Sequence, residues 1–114
     1  MATYDKSMPV MPDEPLESEE KSQLISLVST TVKFSQNIVG LEIANNSSSA
    51  TIYIKIDGTI ATLNSGIPIY SKTYYSADKL ILKDTGISLI SDTVNTDVRI
   101  IGHFLLTSEN DGNI

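Results

Sequence analysis

The amino-acid sequence predicts an all-β chain: a single antiparallel β-sandwich, jelly-roll-like, with an extended N-terminal arm. Three observations lead there. From residue 23 onward Ile, Val, Thr, Ser, Leu and Tyr dominate, and these residues suit a pleated, half-buried surface. Seven or eight short apolar stretches follow at roughly ten-residue spacing, with turn signals between them. At the centre, residues 50–63 read as a hairpin: Ile52, Ile54 and Ile56 recur with period two and lead into Asp57-Gly58. A two-residue turn there would set Ile56 opposite Thr59, Ile54 opposite Ala61 and Ile52 opposite Leu63. One face would be apolar, with Tyr53, Lys55 and Thr62 on the other.

The remaining segments are read in order. Residues 1–21 hold all three Met and three of the four Pro. Pro9, Pro12 and Pro15 fix φ and remove backbone donors, so no helix or central strand runs through them. The stretch is a solvated tail or an extended arm that orders on a partner, through Tyr4, Met8, Pro9, Val10, Met11, Pro12 and Leu16. A helical turn over 16–23 is a local alternative. Residues 24–34 fit a strand, because Val28, Thr30, Val32 and Phe34 alternate with polar residues. Residues 38–44 form the next strand, with Val39, Leu41 and Ile43 on one face and Gly40 and Glu42 on the other. Asn45 to Ser49 is a loop; Asn46-Ser47-Ser48 matches a glycosylation acceptor but reads as an ordinary turn. Residues 67–70 are extended, with Pro68 marking an edge or a strand start. Further strands fall at 71–77, 79–83, 87–90 and 97–106, and Gly102 is a candidate bulge. The resulting division is an acidic, Pro-rich arm (1–22), a sandwich domain (23–106) and a frayed polar tail (107–114).

Charge is uneven. The chain carries −6 overall, and the excess acid sits at the two ends, leaving residues 24–104 with six basic and six acidic side chains. Without clustered Lys and Arg, nucleic-acid binding is not expected. No apolar run is long enough to cross a bilayer and no export leader is apparent, so no membrane association is expected. With no Cys and one His, disulfide chemistry and a Cys-based zinc site are ruled out.

Few residues suggest chemistry, and the chain is not expected to be an enzyme or to need a cofactor or metal. Asp84-Thr85-Gly86 resembles the signature of the aspartic proteases, whose single-domain viral members pair one Asp from each of two chains. Tyr53 to Gly58 resembles the strand and turn before that loop, and Ile100-Ile101-Gly102 the apolar element after it. The spacing does not fit: Asn64-Ser65-Gly66 stands where the triplet belongs, and thirteen residues separate Gly86 from Ile100. A hairpin turn explains the triplet more simply. His103 reads as a strand histidine, and Asp92, Asn95 and Asp97 as loop residues that match no calcium template. Tyr53, Ile60, Tyr70, Tyr74 and Tyr75 are candidates for an oligomer or ligand surface. Tyr74 and Tyr75, with the loops around Asn46 and Asn95, would serve a carbohydrate or receptor.

Four stretches together resemble small virion proteins of tailed bacteriophages: Gly66-Ile67-Pro68-Ile69-Tyr70, Leu80-Ile81-Leu82, Gly86 to Ser91, and Thr93 to Ile101. The similarity spans about residues 38–104 and is one of style, with no functional residue attached. It implies a β-sandwich accessory protein of the virion: a head decoration protein, a head-fibre subunit or a neck-associated adaptor. Its arm would dock on a capsid or neck protein and its sandwich would oligomerise, with a trimer favoured. Localisation would be the virion, after synthesis in the host cytoplasm.

Overall fold

The computed structural model describes residues 16–105. Tyr4, Met8, Pro9, Val10, Met11, Pro12 and the tail 107–114 lie outside the described residues. Within them are eight strands: β1 (Leu16–Ile25), β2 (Thr30–Val32), β3 (Gly40–Asn45), β4 (Ile52–Lys55), β5 (Ile67–Ile69), β6 (Tyr74–Ala77), β7 (Ile87–Ser91) and β8 (Thr96–Leu105). They form two four-stranded sheets, ordered β1-β8-β3-β6 and β2-β7-β4-β5. Every pairing is antiparallel. Strands that alternate between two sheets in this order make a jelly roll.

The core is the set of inward positions of both sheets. Leu41 and Ile43 on β3 and Val98 and Ile100 on β8 face Ile52 and Ile54 on β4 and Ile87 and Leu89 on β7, all at most 1 % exposed. Their spacing of two along each strand follows from the pleat. β7 is buried along its whole length. Its outward Ser88 is covered by the 56–66 loop, whose Ala61 N–H donates to Ser88 Oγ at 2.9 Å.

Several expected elements are placed differently. β4 does not turn back on residues 59–63; it pairs with β5, Ile54 opposite Ile67 and Ile52 opposite Ile69. Asp57 is not in the left-handed region, which a two-residue type I′ turn requires. Its Oδ1 instead accepts from the N–H and hydroxyl of Thr59, so the chain opens into a long loop. β1 runs from Leu16 to Ile25 across the expected boundary at residue 22, paired over ten residues with β8. Residues 16–23 are therefore strand, not helix, and belong to the sheet. The strand expected over 24–34 is divided by a turn at 26–29, leaving only 30–32 in β2. Residues 79–83 contribute a single bridge, Ile38 to Ile81.

Gly102 is not a bulge, since the register on both sides of β8 is continuous through it. It is a close approach. A Cβ there would lie 2.8 Å from the Phe34 ring and 2.9 Å from Ile38 Cγ2. The missing side chain lets Phe34 lie flat on the sheet and close the core where β2 is short.

Candidate functional site

The sandwich has two ends of different character. At one end lie the four turns 26–29, 46–51, 70–73 and 92–95. Asn45, at the last inward position of β3, is 1 % exposed. Its Nδ2 donates to the carbonyls of Ala50 (2.8 Å) and Ile69 (2.9 Å). Its Oδ1 accepts from the N–H and hydroxyl of Ser47 at 3.0 and 2.7 Å. All four hydrogen-bonding positions of the amide are thus used. The buried pair Ser91 and Thr96 forms a closed ring of bonds with Thr93. Thr93 N–H donates to Ser91 Oγ, Ser91 to Thr96 Oγ1 at 2.6 Å, and Thr96 to the Thr93 carbonyl. Further bonds join the turns: Ser91 N–H and Asn95 N–H donate to Ser26 O and Oγ, and Thr51 exchanges bonds with Asp92.

At the other end lie the longer loops 33–39, 56–66 and 78–86. Leu16 pairs with Leu105 here, so the chain enters β1 and leaves β8 side by side. Ile60, Leu63, Leu80 and Leu82 are exposed on these loops. One polar clamp holds the 33–39 loop to the sheet: Ser35 N–H and hydroxyl donate to Glu19 Oε1 at 3.0 and 2.8 Å. Partial burial pushes the Glu19 carboxyl up, but the two Ser35 donors and nearby Lys21 outweigh it and hold it below its ordinary value.

Asp84-Thr85-Gly86 is part of this end. Thr85 N–H and Gly86 N–H both donate to the Leu82 carbonyl, and Gly86 has φ +68° with the Val32 carbonyl against its open side. The triplet is a tight turn with Asp84 exposed; its Gly supplies a backbone conformation that side chains rarely adopt.

Among the described residues, nothing covers the outward face of the β1-β8-β3-β6 sheet. Arg99, Ala44 and Tyr74 stand in one row across β8, β3 and β6; Ile101, Glu42 and Ser76 form the next row, and His103 and Gly40 the one after. The small residues Ala44 and Gly40 leave two adjoining depressions of about 300 and 390 Å3, which share Glu42 and Tyr74. Two of its carboxylates are engaged by neighbouring side chains. His103 Nε2 is 2.7 Å from Glu42 Oε2, and Arg99 lies 3.3 Å from both oxygens of Asp97. Asn46 Nδ2 also donates to Asp97, at 2.9 Å. This bond first, and Arg99 second, hold the Asp97 carboxyl below its ordinary value.

The five candidate surface residues do not form one surface. Tyr74 is 73 % exposed on this open face, whereas Tyr75 points inward and packs against the core. Adjacent strand residues face opposite ways, so the two tyrosines cannot share a ligand. Tyr53 is half-buried on the outward face of the other sheet, opposite Ile90 and Pro68. Ile60 lies on the 56–66 loop, and Tyr70 in the 70–73 turn at the opposite end. Leu16 is exposed at the start of β1. Asp92 and Asp97 are engaged separately, with Thr51 and with Asn46 and Arg99. Among the described residues no three His, Cys, Asp or Glu side chains are grouped to hold a metal. Sequence reading missed the trough itself, although it put Gly40 and Glu42 on one face of β3. The small size of Gly40 and Ala44 on an outward face was the available signal.

The chain matches no family model and no curated protein. Its fold is similar to a solved structure described as "Bacillus endospore appendages form a novel family of disulfide-linked pili". The TM-score is 0.44 and the identity 9 %, over 90 % of this chain and 99 % of that one.

Proposed function

We propose that the protein is a structural accessory component of a tailed-phage virion, a head decoration or head-fibre subunit. The N-terminal residues dock on a capsid or neck protein, and the sandwich oligomerises, as a trimer. The observation that supports this reading most is the pairing of Leu16 with Leu105 at one end of the sandwich. Residues 1–15 then lead into a strand at the edge of the sheet, at one end of the sandwich. Their three Pro and scattered Tyr, Met and Val suit an extended segment recognised along its length. Exposed Ile60, Leu63, Leu80 and Leu82 at the same end suit burial between subunits. A body of this size gains stability from such contacts.

Sedimentation velocity tests the assembly. The full chain is expected at three times its 12.4 kDa mass; a monomer across the accessible concentration range refutes the trimer. The matching truncation removes residues 1–15 only, because β1 begins at Leu16.

A further inference from the structure

We infer that the open face of the β1-β8-β3-β6 sheet is a binding trough for a neutral oligosaccharide, centred on Ala44 between Tyr74 and Arg99. The inference does not rest on residues 1–15 docking on a virion protein.

Its first ground is the shape of the slot. Tyr74 and Arg99 flank Ala44 on the two neighbouring strands. The slot is one strand wide on either side of Ala44, with strands about 4.8 Å apart. The exposed Tyr74 ring offers an apolar platform to the C–H face of a pyranose. Ile101 and Ala44 make the floor.

The second ground is charge. Two carboxylates along the trough are held by neighbours, Glu42 by His103 and Asp97 by Arg99, and Asp78 lines its far end. An anionic ligand would meet the Glu42 and Asp78 carboxylates. Hydroxyl groups suit them: each carboxylate keeps spare acceptor positions, and the contacts with His103 and Arg99 fix where those of Glu42 and Asp97 point. Such a rim supplies a small number of placed polar groups around an apolar floor.

The third ground is length. The two depressions adjoin, with Glu42 and Tyr74 lining both. The second opens over Gly40 beside His103, Asp78 and Leu16. Two adjoining subsites favour a linear chain of sugars over a single one.

The test is a titration of the full, isotope-labelled chain, followed by amide chemical shifts. The probes are cellotetraose, maltotetraose, N,N′,N″-triacetylchitotriose, glucose and a peptide of residues 1–15. At least one oligosaccharide is expected to give saturable shifts at residues 42–44, 74, 99 and 101, binding at least about ten-fold tighter than glucose. Tyr74→Ala is expected to weaken it about ten-fold or more. Ala44→Ile fills the slot from an outward strand position where a β-branched residue is favourable; it should abolish binding with the melting temperature unchanged or raised. Tyr53→Ala, on the other sheet, should bind normally. No saturable shift with any sugar overturns the inference, as do shifts that persist in both Tyr74→Ala and Ala44→Ile. Shifts at these amides from the peptide alone would also overturn it, and would make the trough a seat for the N-terminal segment.

Discussion

The two ends of the sandwich are built by different means. One has four turns of four to six residues, tied to each other by hydrogen bonds that converge on buried Asn45 and on Ser91 and Thr96. The other has loops of seven to eleven residues, closed by Phe34 on Gly102 and by the bridge between Ile38 and Ile81. Hydrogen bonds are directional and leave few alternative arrangements once buried groups must be satisfied. Apolar contacts tolerate more. The polar end therefore restricts the arrangement of its turns, whereas the apolar end, where β1 begins and β8 ends, exposes Ile60, Leu63, Leu80 and Leu82.

The largest expected effect comes from breaking the polar end. Asn45→Ala removes a buried donor from the carbonyls of Ala50 and Ile69 and frees Ser47 from the Asn45 amide oxygen, and should cost about 3 kcal/mol in urea unfolding. A loss under about 1 kcal/mol would mean that the 46–51 turn is held by other contacts. Next comes the apolar end. Gly102→Ala forces a methyl into the Phe34 ring and Ile38, and should cost about 2 kcal/mol. If the cost is near zero, Phe34 has room to move and that end is looser than its packing indicates.

The smallest effect concerns the clamp between the sheet and the 33–39 loop. Glu19 has its carboxyl held low in the folded state, so its contribution is present above the unfolded value of about 4.3 and is lost as pH falls through the folded value. Glu19→Gln should be about 0.5 kcal/mol less stable at pH 7, a small figure because the site is partly solvated. The difference from the unsubstituted chain should close on acidification below about pH 4. A difference that grows as pH falls contradicts the clamp.

Much of the sandwich was legible in the sequence, and the failures have identifiable causes. β3, β4, β5, β7 and β8 announce themselves by period-two Ile, Leu and Val, and two of the expected turns fall where Asp-Thr-Gly and Ser/Thr/Asn clusters stand. β1 was hidden because its inward positions are Glu17, Glu19, Lys21, Gln23 and Ile25, with a single apolar residue among them. It is a strand by virtue of its ten-residue pairing with β8, and its charges suit an edge that must not recruit further strands. The partner of β4 was misread because Asp57-Gly58 satisfies a local turn in more than one way, and the choice of β5 over residues 59–63 depends on long-range pairing. Gly102 looked like a bulge because a strand glycine signals either a bulge or a close approach, and only the position of Phe34 decides. Tyr74 and Tyr75 were grouped by adjacency, although the pleat separates them. Asn45 read as the start of a polar loop; its burial follows from the turns that close around it.

The central proposal is that residues 1–15 bind a virion partner and the sandwich is carried. It is tested most directly by adding purified protein to phage particles produced without it, then measuring the amount that co-sediments. The account predicts saturable binding of the full chain and none of a chain lacking residues 1–15 that keeps the same melting temperature. Equal binding of the two, or no binding of either, would contradict it.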